Sequence, residues 1–318
     1  MRAQHDPGGL DEGPIDTHEH EVSLYERRAD AMLVLLASQG HFTVDAQRRV
    51  WEDLPPEIYR STRYYDSWLL HSKILLIERG LIDENDLHRR IDEVGPRLQA
   101  ERAAGAELSD HHAHDDPAHA AVEHNESAVS DFEVLEEALR ELCIDKGFFT
   151  AADVQREVQN LESRTPTLSA GLVARSWVDP AFRDALLADA YATAESVGID
   201  MTGSPPVQAV ENTPALHHVV ACTLCSCYPR ALLGIPPAWY KSRAYRARIV
   251  IDPRGVLREF GTELPDDTHI KVVDSTADLR YLVVPIRPPR TDDWSTEALA
   301  ALVTRDSMIG VTAAKNPF

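Results

Sequence analysis

Apolar residues in the first two thirds of the chain recur at helical spacing and are interrupted by glycine and proline. Past residue 200 they gather instead into short runs. From Leu24 to Ser38 the text YERRADAMLVLLASQG predicts a helix that stops at Gly40. A short helix is expected from Val44 to Trp51, with Thr43 or Asp45 near its start. LPPEIYRSTRYYDSWLLHSKILLIERG reads as a turn and then a long helix closing at Gly80. Asp83 to Val94 predicts another helix, acidic in its first turns.

A phrase recurs along this helical text. LLIERGLIDENDLHRRI (75–91) aligns without gaps with LCIDKGFFTAADVQREV (142–158), matching Leu75 with Leu142, Gly80 with Gly147 and Asp86 with Asp153. Both read as a helix, a glycine stop and a restart. Cys143 falls on an apolar position of this repeat, which makes it a core residue rather than a ligand. Between the copies lies ELSDHHAHDDPAHAAVEHNESAVS, poor in large apolar residues and rich in charge, which reads as a linker. Its His111, His112, His114, His119 and His124 invite a weak metal-binding reading, set against a solvated spacer that happens to hold histidines.

Helical text continues through ARSWVDPAFRDALLADAYATAESVG. VQAVEN, HHVVACTL, ARIVID, HIKVVD and LRYLVVPI then predict strands of an irregular sheet, and WSTEALAALVTRDS a closing helix capped by Ser295 or Thr296. The expected class is therefore α+β. A disordered leader (1–20) precedes a helical segment (21–100), a His-rich acidic linker (101–130) and an α+β domain (131–318).

Composition sharpens this picture only in places. In 318 residues, 43% hydrophobic and 26% charged, there is material for a sizeable core. No apolar run is long enough to span a membrane and no signal peptide opens the chain, so a cytoplasmic protein is expected. The net charge of -20 argues against nucleic-acid and anionic-membrane surfaces. Four cysteines in a chain of this size are no disulfide framework, and metal or redox chemistry fits them better.

Three of them, Cys222, Cys225 and Cys227, stand together as CTLCSC. Thiolates at C-x-x-C-x-C converge only if the backbone between them forms a tight loop, which brings its peptide groups to the same place. A structural zinc site with His217 or His218 as fourth ligand is one reading. An iron–sulfur cluster or a redox-capable ion is another, since soft thiolates suit all three. Spacing alone says metal.

CTLCSC, with ENTPALHHVV before it and LGIPPAWYKSRAYRARIVIDPRGVL, LPDD, DSTADLRYLVVPIRP and LVTRDSMIG after it, resembles the α subunit of nitrile hydratase and of its relative thiocyanate hydrolase. The likeness covers roughly residues 133–313 and implies a layered α/β catalytic domain. It further implies a non-haem Co(III) or Fe(III) ion held by Cys222, Cys225 and Cys227 and by the main-chain amides of Ser226 and Cys227, with no organic cofactor. Thr223, in CTLC, is the cobalt-type form. The family oxidises its middle and last cysteines to sulfinic and sulfenic acids, which carries over to Cys225 and Cys227, and Cys227 is thereby a catalytic candidate.

Residues 24–95 are similar, more loosely, to the helical half of the family's β subunit. That resemblance implies that Arg48 hydrogen-bonds the oxidised cysteine oxygens and that Tyr64 relays a proton. The β subunit's carboxyl half, a small barrel, is absent, so a separate partner chain, a larger hetero-oligomer and a metallochaperone are expected.

Two further departures bear on substrate. MTGSPP stands where the nitrile-hydrating members carry a glutamine, and Arg230 stands where they carry a pocket tryptophan. A desolvated cation is costly beside a neutral nitrile but suits an anion, and thiocyanate is an anion with a terminal C≡N. Two unit charges about 5 Å apart at an effective dielectric near 20 attract by about 3 kcal/mol, about a hundredfold in preference. Arg49 adds to that field. The expected activity is conversion of thiocyanate to carbonyl sulfide and ammonia. Nitrile hydration and, in another class, a cobalt-carrying accessory protein are the alternatives.

Overall fold

The computed structural model describes residue 4 and residues 6–19, 21–110 and 128–318. The linker histidines from His111 to His124 lie outside the described residues. Two compact units divide the chain. One is Val22–Gln159, and the other joins Met1–Glu21 to Asn160–Phe318.

The first unit is helical: α1 (Leu24–Ser38), α2 (Val44–Asp53), α3 (Pro56–Ser61), α4 (Tyr64–Glu78), α5 (Glu84–Asp110), α6 (Asp131–Asp145) and α7, which begins at Ala151 and ends at Ser163. Local chemistry sets the starts. The Thr43 hydroxyl accepts from the Ala46 N–H, and Ser130 exchanges hydrogen bonds with Glu133 in a capping box. The turn expected before α4 is itself one short helix, α3.

The sequence repeat is also a repeat of structure. Gly80 and Gly147 both sit at positive φ, +64° and +73°. After each, a main-chain N–H reaches back to close the helix, Leu81 to the Leu76 carbonyl at 2.9 Å and Phe148 to that of Cys143 at 3.0 Å. This is the left-handed glycine stop that ends a helix and satisfies its last carbonyls. Cys143 occupies the place of Leu76 and is as deeply buried, and burial pushes its thiol up to about 12. It is an inert core residue.

The helix expected over Asp83–Val94 instead runs to Asp110 as α5, through Pro96. Proline removes one helical hydrogen bond. Ion pairs to α6, Arg97 with Glu141 at 2.6 Å and Arg102 with Glu133 at 2.6 Å, hold the turns that follow. The same pairing holds α6 within the helical unit. The linker marks where two texts join, whereas packing follows the apolar faces and charges of α5 and α6.

The second unit comprises α8 (Pro166–Val178), α9 (Pro180–Ala188), α10 (Ala190–Ser196), β1 (Val207–Glu211), β2 (Leu216–Ala221), α11 (Arg230–Leu233), α12 (Ala238–Lys241), α13 (Arg243–Arg248), α14 (Pro253–Glu259), β3 (His269–Asp274), β4 (Arg280–Val284), α15 (Thr296–Ala300) and α16 (Arg305–Ile309). β1 pairs in parallel with β4, and β2 in parallel with β3. Four of the expected strands are present. The fifth, ARIVID, is corrected: Ser242 caps α13 by accepting from the Tyr245 N–H, so Ala247 and Arg248 complete a helix. The expected closing helix is likewise split, because Thr304 caps a second start at Arg305.

The leader is described in part. Residues 6–19 lie along this unit, where the Gly9 N–H donates to the Ala247 carbonyl at 2.8 Å and Ile15 is buried in the core. The core also holds Trp239, Tyr240 and Tyr245, each fully buried. Each large side chain so buried contributes about 1.5–3 kcal/mol. Among the described residues no helix is long and apolar enough to cross a membrane.

Candidate metal centre

β2 delivers the cysteine loop. Its last residues, Val219, Val220 and Ala221, are all buried, and Cys222 follows at 1% exposure. The chain then turns back so that Cys222 Sγ lies 3.5 Å from Cys225 Sγ, and Cys225 Sγ lies 3.4 Å from Cys227 Sγ. All three sulfurs fall within 4.8 Å of one another. Ser226 occupies the turn between the last two.

Side chains from distant elements fix the loop's backbone. Arg246, buried on α13, donates to the carbonyls of Cys222 at 3.2 Å and Thr223 at 2.9 Å. Tyr240 donates to the Cys227 carbonyl at 2.7 Å and Tyr245 to the Val220 carbonyl at 2.6 Å. Asp274, at the end of β3, accepts from both the main-chain N–H and the hydroxyl of Thr223. The sequence reading missed these four residues. The signal available was weak: tyrosine and arginine at helical spacing in AWYKSRAYRAR and an aspartate ending a strand, none of it near the cysteines in the text.

The sulfurs oppose one another's ionisation. Contact with Cys225 is the largest influence on Cys222, and with burial it leaves that thiol pushed up to about 11. Cys227 is raised further still by its two sulfur neighbours and by burial. Three thiolates at such distances can coexist only around a cation, so the donor set fits a soft or trivalent metal ion.

Neither histidine completes a zinc site. His217 places Nε2 2.7 Å from the Gly310 carbonyl and Nδ1 3.2 Å from Asn212 Nδ2. The Asn212 Oδ1 accepts from the His218 N–H at 2.7 Å and lies 3.3 Å from its Nδ1. Burial lowers the pKa of both imidazoles. They brace β2 behind the loop, and their ring nitrogens engage Gly310 and Asn212, which speaks against the zinc reading with His217 or His218 as fourth ligand.

The other candidates are placed as follows. Arg230 opens α11 three residues after Cys227, half-buried, its N–H on the Tyr228 carbonyl at 2.8 Å. Arg48, Arg49 and Tyr64 belong to the helical unit. Arg48, on α2, lies 3.4 Å from Asp45. Arg49 spends its donors on Glu78 at 2.5 Å and Asp53 at 3.3 Å, which diminishes the field it offers an anion. Tyr64 begins α4, with its ring against those of Tyr65 and Trp68.

Comparison with known proteins bears on all of this. The family described as "Nitrile hydratase, alpha chain" matches residues 130–312. This chain belongs to the nitrile hydratase family. A second family, "Nitrile hydratase beta subunit, N-terminal", matches residues 1–126, so a beta-type amino-terminal segment precedes the alpha-type domain in one chain. The chain is 48% identical over 190 residues to the alpha subunit of the high-molecular weight cobalt-containing nitrile hydratase of Rhodococcus rhodochrous, covering 59% of this chain and 94% of that one. It is 44% identical over 198 residues to the gamma subunit of thiocyanate hydrolase of Thiobacillus thioparus, covering 59% and 82%. Its amino-terminal part is 31% identical over 108 residues to the beta subunit of the latter enzyme, covering 34% of this chain and 69% of that subunit. Among solved structures, a recombinant thiocyanate hydrolase with partially modified cobalt centres superposes with a TM-score of 0.58 at 43% identity, over 60% of this chain and 93% of that one. The α+β class and the helical arm agree with these relatives.

Proposed function

We infer that this chain is the metal-bearing subunit of an enzyme that adds water to a C≡N group, and that its substrate is thiocyanate. The carrying observation is the convergence of Cys222, Cys225 and Cys227 on one point, with Arg230 following at the start of α11. The cobalt-containing relatives favour cobalt as the ion. Held by the three sulfurs and by the amides of Ser226 and Cys227, it would act as a Lewis acid toward the nitrile nitrogen and toward water.

The remaining work falls to this chain's own side chains. Arg230 offers a half-buried cation where an anion gains more than a neutral nitrile. Arg48, Arg49 and Tyr64 enter by their chemistry alone. They supply a guanidinium fork for the oxygens of an oxidised cysteine, a second cation and a phenol able to hand on a proton. In balance, thiocyanate and two waters give carbonyl sulfide, ammonia and hydroxide.

The fusion supports the same choice. The chain covers 69% of the thiocyanate hydrolase beta subunit but 42% of the beta subunit of the low-molecular weight cobalt-containing nitrile hydratase of Rhodococcus rhodochrous. A separate chain carrying the barrel half is the proposed partner, within a larger hetero-oligomer. Nitrile hydration remains the second reading, favoured by the 48% identity to a nitrile hydratase alpha subunit.

The test is to purify the chain with its native partner, measure bound cobalt and offer thiocyanate and a simple nitrile in parallel. Carbonyl sulfide and ammonia from thiocyanate alone support the proposal. Amide from the nitrile alone overturns it in favour of the second reading.

A further inference from the structure

The chain's first residues and its cysteine loop are more than two hundred positions apart, yet they hold the same helices. Residues 6–19 run along α13 and reach α16. Besides the Gly9 bond to Ala247, Glu12 accepts from Arg243 Nη2 at 2.7 Å and the Gly13 carbonyl accepts from Arg248 Nη1 at 3.3 Å. The Ile15 N–H donates to Glu259 at 3.2 Å, and Glu19 pairs with Arg305. Pro7 and Ile15 are buried, the latter in the core cluster that contains Cys222 and Cys227.

α13 is the helix that carries Arg246 to the carbonyls of Cys222 and Thr223. At six residues it is too short to be stable by itself, so its position depends on what grips its flanks. The leader grips Arg243 and Arg248 on either side of Arg246. At the other end Glu19 holds Arg305, the first residue of α16. That helix closes at Gly310, where a Cβ would come within 2.2 Å of the His218 carbonyl of β2. β2 in turn leads into Cys222.

We propose that residues 6–19 are a strap that positions the cysteine loop through α13 and α16, with Glu12 and Glu19 as positioning residues, so that metal retention depends on the chain's own amino-terminal segment. This rests on reading the loop as the metal centre. A loosened strap lets α13 shift, frees Arg246 from the loop carbonyls and opens the two buried sulfurs to solvent.

The test is thiol alkylation of the metal-free, full-length chain, read by mass spectrometry at each cysteine, together with cobalt loss from the loaded chain to a chelator. In Glu12→Arg, alkylation of Cys222 and Cys227 is expected to rise about fivefold, as for a local opening, and cobalt to be lost faster. The charge swap Glu12→Arg with Arg243→Glu is expected to restore both to within about twofold of wild type. A role confined to overall stability would raise alkylation of the buried Cys143 as much as that of Cys222 and Cys227. Wild-type alkylation rates in a folded Glu12→Arg chain, or a swap that restores nothing, overturn the strap. Should Glu12→Arg lose its helical circular dichroism, the milder pair Glu12→Gln with Glu19→Gln carries the same comparison, and unchanged alkylation there overturns it too. A wild-type chain that takes up no cobalt sinks the metal-centre reading instead, while the alkylation comparison still decides the strap.

Discussion

Asp274 holds both polar groups of Thr223: Oδ1 accepts its main-chain N–H at 3.0 Å and Oδ2 its hydroxyl at 2.6 Å. One carboxylate at the end of β3 thereby fixes the first turn of a loop that β2 delivers. Asp274→Ala should cost about 1 kcal/mol of stability, the modest value of hydrogen bonds reached by solvent. It should also lower cobalt content after expression in cobalt medium. Asp274→Asn, which keeps one acceptor, should fall between. Thermal melts and metal analysis of the three proteins check this ordering.

The tyrosines beneath the loop act where water cannot replace them. Tyr240→Phe leaves the Cys227 carbonyl without its buried donor and should destabilise by about 1–3 kcal/mol. Tyr245→Phe should cost a similar amount at Val220. Because both brace one strand and loop, the double variant should depart from additivity by about 0.5 kcal/mol or more in urea unfolding.

The proposed preference for thiocyanate predicts an effect at Arg230. Arg230→Trp should reduce kcat/KM for thiocyanate about a hundredfold, the effect of removing one charge about 5 Å from an anion. Nitrile hydration should rise in the same variant, and Arg230→Lys should keep most of the thiocyanate rate. Equal thiocyanate kinetics in wild type and Arg230→Trp would remove this residue from the pocket.

The helical unit carries a titrating carboxyl in its interior. Glu136 is 1% exposed, and burial raises it from 4.5 to about 7 despite Arg140 at 2.9 Å and Arg28 at 4.0 Å. A carboxyl raised on folding binds its proton more tightly in the native state. Its stabilising contribution is complete below pH 4.5 and is lost as pH rises through about 7. That loss is about 3 kcal/mol. Glu136→Gln should flatten the dependence of the melting temperature between about pH 4.5 and 7. A pH profile unchanged by the substitution would assign the slope to other groups.

Much was legible before any coordinates because it is written in local spacing. Gly80 and Gly147 end helices because only glycine adopts positive φ without strain, so the repeat could be read as a repeat of structure. C-x-x-C-x-C keeps three sulfurs within reach of one another once the loop turns, and the text around it carries the family. ARIVID was misread because β-branched residues favour a strand only where a neighbour offers hydrogen bonds, and Ser242 starts a helix first. The leader's polarity says nothing of Arg243, Arg248 and Arg305, which meet its carboxylates and a carbonyl. The sequence by itself thus determined the clustering of Cys222, Cys225 and Cys227 and the glycine stops at Gly80 and Gly147, where the deciding residues are neighbours in the chain. Only the tertiary structure decided what holds the loop in place, because Arg246, Tyr240 and Asp274 reach it across distances that no local pattern encodes.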